Sequence, residues 1–413
     1  MKKIYVFITM TIYGMSGQPK YLENKVRFLI SEGVDVFVFS ALKFKFSKLM
    51  INLDGCCSQL IPALMYAPSY FRKSEIDNIV RFMSETINCK NGDDIYVESN
   101  AIASAEWGEM LAKEVRGKHI SFNLQERFNF SEGEIDFLRF KLNRKELSGI
   151  AKTSVQDMLK DKSIQFEDWM RIAAYCNNVV ADCEDKFSEM LWKDVNLTFG
   201  SIGRLEKSCV LPLLKGIIEY CLLNTGKYNI VMIGGGSSKG GVKKIRNLVA
   251  NYHNINLIIT DNIYPIPRSL LQNIDIFIST AGSAGVSFYE KRSTIKVHPI
   301  TGKPVGIVGY TFTNKNSMFD SSSMSLVKTI KQVIEEKDKI VYDNDYIESR
   351  NKRMKDEFQR QLGFFENSNK FEYYDTRNIC PKKSFKSTLF YIMGKILGSE
   401  KMQKILNTLR SLL

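Results

Sequence analysis

The 413-residue sequence is short of the residues that build metal and disulfide sites. It has three histidines, and its eight cysteines show no CxxC pair and no framework spacing. That pattern excludes a zinc module of the usual spacing and a disulfide-stapled scaffold. Scattered free thiols in a chain of this size point to a reducing compartment, so a cytoplasmic location is expected. No apolar run approaches the ~20 residues of a membrane-spanning helix. The opening stretch MKKIYVFITMTIYG has the lysines and apolar run of a leader but no small-residue cleavage site. Its β-branched and aromatic residues suit a buried first strand better. A Walker loop is also lacking: Lys239 precedes Gly240, and no hydroxyl follows. Asp343-Asn344-Asp345 spells DxD, but a charged helical run follows it and a βα context is missing. No essential metal and no bound cofactor are therefore expected.

Apolar residues are not lacking. At 44% hydrophobic and 11% aromatic the chain is globular, and its length suits two domains with additions. The net charge of +13 is unevenly placed. Residues 381–413 hold seven Lys or Arg against one acid, Glu400, so much of the excess belongs to a tail.

Strand and helix patterns alternate twice over. KIYVFITM, VDVFVFS, DIYVES and HISFNL read as strands, with helical segments such as YLENKVRFLISEG and AEWGEMLAKEVRG between them. NNVVAD reads as a further short strand followed by a helix, CEDKFSEMLWK. A second series runs through LTFGSIG, YNIVMIGGG, NLIITD, IDIFIST, IKVHPI and VGIVGY. This predicts an α/β protein of two doubly wound, Rossmann-like domains, residues 1–192 and 193–340, with sites at strand C-terminal ends. Residues 341–380 are expected to form a helix crossing back to the first domain. The polar stretch 141–168 reads as a helical insertion.

IVMIGGGSSKGG places five glycines between a strand and a basic helix. Such loops let backbone amides approach phosphates at a helix N-terminus. Gly234, Gly236 and Gly240 fit a loosened dinucleotide fingerprint, with Asp261 ending the next strand. A tight turn without a ligand fits too. Upstream, SIGRLEKS sets Arg204 and Lys207 between a strand and a helix, where the helix dipole disfavours cations. A forked guanidinium and a point charge there suit a diphosphate.

The succession SIGRLEKS, IVMIGGG and IDIFISTAGSAGVSFYE, within residues 198–309, resembles the donor-binding half of GT-B glycosyltransferases of the family 4 type. The resemblance implies two domains facing a cleft, with Arg204 and Lys207 on the donor's diphosphate. It implies Glu290 as the second glutamate of that family's pair, on the donor's ribose or sugar. Gly282 stands where the first glutamate would be. Gly234, Gly235, Gly236, Gly282, Ser283 and Gly285 become donor-loop residues, and His298 a donor-side contact. On the acceptor side the loop of Gly14, Ser16 and Gly17 would face the cleft. Glu126 would be the general base taking the acceptor hydroxyl's proton. His119, at a strand's beginning, reads as structural.

In the tail, Leu389, Ile392, Ile396 and then Met402, Ile405, Leu409 recur at helical spacing with lysines between. Two basic amphipathic helices fit an anionic membrane surface, or packing on the protein itself. Nucleic acid is not expected, since no recognised binding module is present. The leading expectation is a hexosyl- or related glycosyltransferase. It would carry sugar from a nucleoside-diphosphate donor to a glycan or lipid-linked acceptor of surface polysaccharide. An NAD(P)-dependent oxidoreductase, a nucleotide-sugar epimerase and a non-catalytic sugar-nucleotide binding protein stay open.

Overall fold

The structure, a computed structural model, describes residues 2–13, 17–42, 51–125, 128–176, 178–235, 239–313, 316–317, 319–320, 323–342, 344–366, 372–380 and 385–412. Gly14, Ser16, Glu126 and Gly236 lie outside them. The chain divides into two units, Met1–Cys176 with Lys352–Leu413, and Asn177–Asn351.

The first unit holds strands β1 (Lys3–Thr11), β2 (Asp35–Leu42), β3 (Cys57–Leu60), β4 (Asp94–Ser99), β5 (Lys118–Asn123) and β6 (Leu147–Gly149). They form one parallel sheet in the order β3-β2-β1-β4-β5-β6. Its helices are α1 (Gly17–Ser31), α2 (Lys73–Ile87), α3 (Ile102–Glu114), α4 (Glu132–Asn143) and α5 (Ser154–Leu159). β1 is apolar from Ile4 to Ile8 because both its faces are covered: Ile4, Val6 and Ile8 enter one core, Tyr5 and Phe7 the other. Gly33, at φ 73, ends α1, and the Val34 amide returns to the Leu29 carbonyl.

The second unit holds β7 (Val180–Ala181), β8 (Leu197–Ile202), β9 (Tyr228–Ile233), β10 (Ile255–Ile259), β11 (Ile266–Pro267), β12 (Ile276–Ser279), β13 (Ser293–Val297) and β14 (Pro304–Ile307). Its helices are α6 (Val210–Leu223), α7 (Lys239–Val249), α8 (Arg268–Gln272), α9 (Ala281–Tyr289) and α10 (Leu326–Glu335). The sheet order is β10-β9-β8-β12-β13-β14, with only β14 antiparallel to its neighbour. Both sheets thus repeat the doubly wound order 3-2-1-4-5-6. Two helices follow, α11 (Asn344–Glu366) and α12 (Phe385–Leu412). From Lys352 onward the chain belongs to the first unit, where Phe358, Leu362 and Phe365 are buried.

Three expectations are corrected. Residues 177–192 belong with the second unit, because β7 pairs with β11 rather than with the first sheet. CEDKFSEMLWK forms only a 3-10 turn at Ser188–Met190: the Asp185 carboxylate accepts the amides of Phe187 and Ser188 and diverts them from a helix. The stretch 141–168 is not one helix. α4 ends at Asn143, Lys145 turns at φ 59, and β6 and α5 follow.

Two buried polar networks hold the first unit. Lys25 Nζ donates to Glu98 Oε2 at 2.5 Å and to Gln361 Oε1 at 2.7 Å, and Tyr5 Oη donates to Glu98 at 2.6 Å. Gln361 ties α11 to α1. The second network joins Ser99 Oγ to His119 Nε2 (2.9 Å) and His119 Nδ1 to Glu109 Oε2 (2.7 Å), with Lys141 donating to the same oxygen. It has the arrangement of a hydrolytic relay, yet Ser99, His119 and Glu109 are all sealed from solvent. Its role is structural. Burial would raise the Glu109 carboxyl, but Lys141 and His119 outweigh it and hold the pKa at about 2. Burial, reinforced by Lys141, pushes the His119 pKa down despite Glu109.

Lys25→Met leaves Glu98 charged, buried and without its cation, and should cost about 3–5 kcal/mol. Urea unfolding measures this, and adding Glu98→Gln should recover a large part; strictly additive losses would refute the coupling. Acid should also destabilise the protein. Below the usual histidine pKa of about 6.5 the unfolded chain takes a proton that folded His119 resists, and below about 4.3 the same holds for Glu109. Guanidinium midpoints should fall from pH 7 to pH 4, and His119→Gln should flatten the fall between about pH 6.5 and 5. A wild-type profile level across that range would contradict the assignment.

Candidate functional site

In the second unit the winding reverses between β8 and β12. β8 leads through α6 to β9 on one side, and β12 through α9 to β13 on the other. Helices on opposite faces leave a crevice outside the strand C-terminal ends at such a point. The segments that follow β8, β9, β12 and β13 all emerge on this edge. They carry Arg204 and Lys207, Gly234 and Gly235, Gly282 and Ser283, and His298.

Arg204 is exposed and Lys207 half-buried. Among the described residues neither side chain has an ion pair or hydrogen bond. A small pocket beneath them is lined by Ser201, Gly203, Met232, Thr280 and Val297 among others. Their loop is fixed from below, because the Leu205 amide donates to the Gly235 carbonyl at 3.0 Å.

The glycine loop is used differently from the expectation. Gly234 has φ 144, and a Cβ there would stand 2.2 Å from the Gly203 carbonyl oxygen. Glycine is required by this close passage of two chain segments. The Gly234 amide donates to Thr260 Oγ1 and the Gly235 amide to Asn262 Oδ1, both at 3.1 Å. These two amides are therefore already engaged and not free to bind phosphate.

At the β12 end, Thr280 is the N-cap of α9 but its side chain caps no amide. Its Oγ1 is buried without a partner, and the residue lines the pocket. Gly282, Ser283 and Gly285 lie in the first turns of α9, Gly282 exposed and the other two half-buried. Free amides and the helix dipole at such an end favour an anion. Glu290 is not part of this group. It caps the opposite end of the nine-residue helix, roughly 12 Å away along the axis, and pairs with Arg268. His298 does lie at the crevice edge. Its Nδ1 accepts the Ile300 and Thr301 amides, each at 3.2 Å, which leaves Nε2 to carry the proton.

In the first unit the winding reverses between β1 and β4. Gly17, the exposed first residue of α1, lies in this region. Two asparagines absent from the sequence-based candidates stand at the ends of β4 and β5. Asn100 Oδ1 and Asn123 Nδ2 are buried and have no partner among the described residues. Their signal was an Asn at or just beyond a strand end, in ESN and FNL, which alone is too common to notice.

No protein-family model and no curated protein sequence matches this chain. Solved structures do. A glycosyltransferase from Rickettsia africae ESF-5 aligns with a TM-score of 0.55 at 15% identity, over 94% of this chain and 97% of that one. Anabaena HepE, solved with UDP and glucose, aligns with a TM-score of 0.57 at 12% identity, over 89% and 100%. A TarM variant of S. aureus, solved with Fondaparinux, alpha-GlcNAc-glycerol and UDP, gives 0.58 at 10% identity, again over 89% and 100%. The fold of this chain is that of GT-B glycosyltransferase structures.

Proposed function

We propose that the protein is a glycosyltransferase that binds a nucleoside-diphosphate sugar at the C-terminal ends of β8, β12 and β13. One observation carries the reading: among the described residues Arg204 and Lys207 stand without counter-charges at the point where the sheet's winding reverses. Two fold neighbours solved with UDP support the choice of ligand. A diphosphate would occupy Arg204, Lys207 and the amides of Gly282 and Ser283, and Gly285 would leave room on the first turn of α9. His298 would donate from Nε2.

In the reaction the acceptor hydroxyl oxygen bonds to the sugar's anomeric carbon as that carbon's bond to the diphosphate oxygen breaks. The electron pair leaves with the diphosphate. Arg204 and Lys207, preplaced in the crevice, meet the growing negative charge, which makes an essential metal unnecessary. The hydroxyl's proton goes to a carboxylate, for which Glu126 is the assignment. Gly282 brings no carboxylate to the sugar, so the Ser283 hydroxyl and neighbouring amides would hold it. The acceptor side falls to the first unit, to the loop of Gly14, Ser16 and Gly17 and to Asn100 Oδ1 and Asn123 Nδ2, which have no partner among the described residues. Polyol hydroxyls complement such groups, which suits a glycan or lipid-linked glycan of surface polysaccharide. The oxidoreductase alternative is weakened because Gly234 and Gly235 have already committed their amides.

The tail supports a membrane-facing acceptor. α12 breaks at Gly398 into two segments. Met393 and Met402 pack into the first unit's core, while Leu389, Ile392 and Ile396 are exposed beside Lys395. Lys401 and Lys404 follow on the second segment. Lysines flanking an apolar stripe suit an anionic leaflet. Among the described residues no helix is long and apolar enough to cross a membrane, so the contact would be peripheral.

Thermal shift with UDP, GDP, CDP, NAD and NADP, without added metal, tests the donor. One nucleoside diphosphate should raise the midpoint by mass action, and Arg204→Ala should weaken its binding by about ten- to a hundredfold, the worth of a charge-assisted contact. A response to NAD or NADP alone would return the protein to the oxidoreductase class. For the tail, Ile392→Glu with Ile396→Glu should abolish co-sedimentation with phosphatidylglycerol vesicles without lowering the melting point. Unchanged sedimentation would remove the membrane assignment.

A further inference from the structure

Lys296 is a charge for which the described residues of the second unit provide no counter-ion. Its neighbours on β13, Ile295 and Val297, enter the core beneath α6. Strand alternation turns Lys296 to the other face, where α8 and α9 pack. There its ammonium lies 4.2 Å from the centre of the Phe312 ring. Among the described residues it has no carboxylate and no hydrogen-bond acceptor. Burial lowers its pKa to about 8. A ring face compensates only part of what an ammonium loses on leaving water.

The surroundings of Lys296 follow from two contacts. β13 pairs in parallel with β12, placing Lys296 opposite Ser279, the residue before Thr280. Ser287 on α9 bonds Thr294 on β13 at 2.9 Å. α9 follows β12 and returns antiparallel to the strands. One helical turn back from Ser287 is Ser283, and two strand residues on from Thr294 is Lys296. Both steps cover about 6 Å, so Ser283 stands over Lys296 at the first turn of α9. Three unfilled features therefore flank the first turn of α9, Thr280 on the pocket side and Lys296 on the other face of the sheet. They are a cation without an anion, the free amides of a helix N-terminus, and the buried, unpartnered Thr280 hydroxyl.

We propose that Lys296 is a third cation of the donor site, binding the distal phosphate of the nucleoside diphosphate at the N-terminus of α9. This rests on the donor reading above. Arg204 and Lys207 approach from the β8 side of the crevice and Lys296 from the β13 side, so the phosphate furthest from the nucleoside would be gripped between them. As the sugar leaves, that phosphate gains charge, and a cation held out of water answers it strongly.

Calorimetric titration of UDP and UMP into wild type, Arg204→Ala, Lys296→Met and Lys296→Arg decides the matter, with GDP/GMP or CDP/CMP substituted if the panel selects another base. The proposal expects Lys296→Met to weaken diphosphate binding at least tenfold and monophosphate binding less than threefold. It expects Lys296→Arg to restore most of the loss. It also expects the ligand-free melting point of Lys296→Met to be equal to or above wild type, because an unpaired, half-buried charge has been removed. A purely structural lysine over Phe312 would do the reverse, lowering the melting point and affecting both nucleotides alike, and that result overturns the proposal. Unaltered diphosphate binding in Lys296→Met, with binding lost in Arg204→Ala, overturns it while leaving the donor site standing. Wild type binding none of the three diphosphates overturns both together.

Discussion

Right-handed crossover in a parallel sheet determines where this protein can put a ligand. Successive strands added to the left of β8 place their helices on one face, and strands added to the right of β12 place theirs on the other. Between them no helix can cover the strand ends. Every group of interest in the second unit is attached to a segment leaving that edge, and each was brought there by topology before chemistry. Two non-glycine residues with left-handed backbone, Asp261 and Ala281, also stand at these strand ends, where turns are tight enough to force the conformation.

The two units handle charge in opposite ways. In the first, Lys25, Lys141, Glu98, Glu109 and Glu146 are buried, and each meets an opposite charge at hydrogen-bond distance. Such pairs add specificity more than stability, but removing one member is costly. In the second unit Arg204, Lys207 and Lys296 have no such partners among the described residues. A scaffold that pairs its charges in one half and leaves three cations unpaired around one crevice in the other has room for an anion there. Glu106 is the exception in the first unit. Both its oxygens are buried without a partner, and burial raises its pKa well above the carboxylate range, so it is held as the neutral acid. It brings no charge to balance.

Much of the architecture was legible because parallel strands covered on both faces must be apolar along their length. β1, β9 and β12 come close to this, with the runs IYVFI, IVMI and IFI, and a reader of the sequence meets them as such. β3 is exposed along its length, and β6, though buried, is only three residues long, so neither leaves a pattern. α2 presented Ile76, Val80, Met83 and Ile87 at helical spacing and was still missed, lacking a side-chain cap to mark its start. The false helix at residues 183–193 shows the converse. Its spacing was helical, but Asp185 offered the backbone a competing turn. Arg204 and Lys207 were legible since a cation between a strand and a helix is unusual by itself. What Gly234 and Glu290 do depends on Gly203 and Arg268, partners from other elements, and no local pattern names a partner.

Lys296 lay in the least legible class. In STIKV a lysine reads as the solvent side of an edge strand, because β14 beyond it gives only a short apolar run. Burial comes from Phe312 and from α9, both placed by folding, and it turns an ordinary surface charge into a desolvated one. That residue 282 is a glycine and not an acid acts in the same direction. With a glutamate there, the N-terminus of α9 would carry its own negative charge near Lys296 and compete with a phosphate for it. With glycine, the amides, the hydroxyls of Thr280 and Ser283, and the lysine all favour an incoming anion, and nothing among the described side chains at that end opposes it.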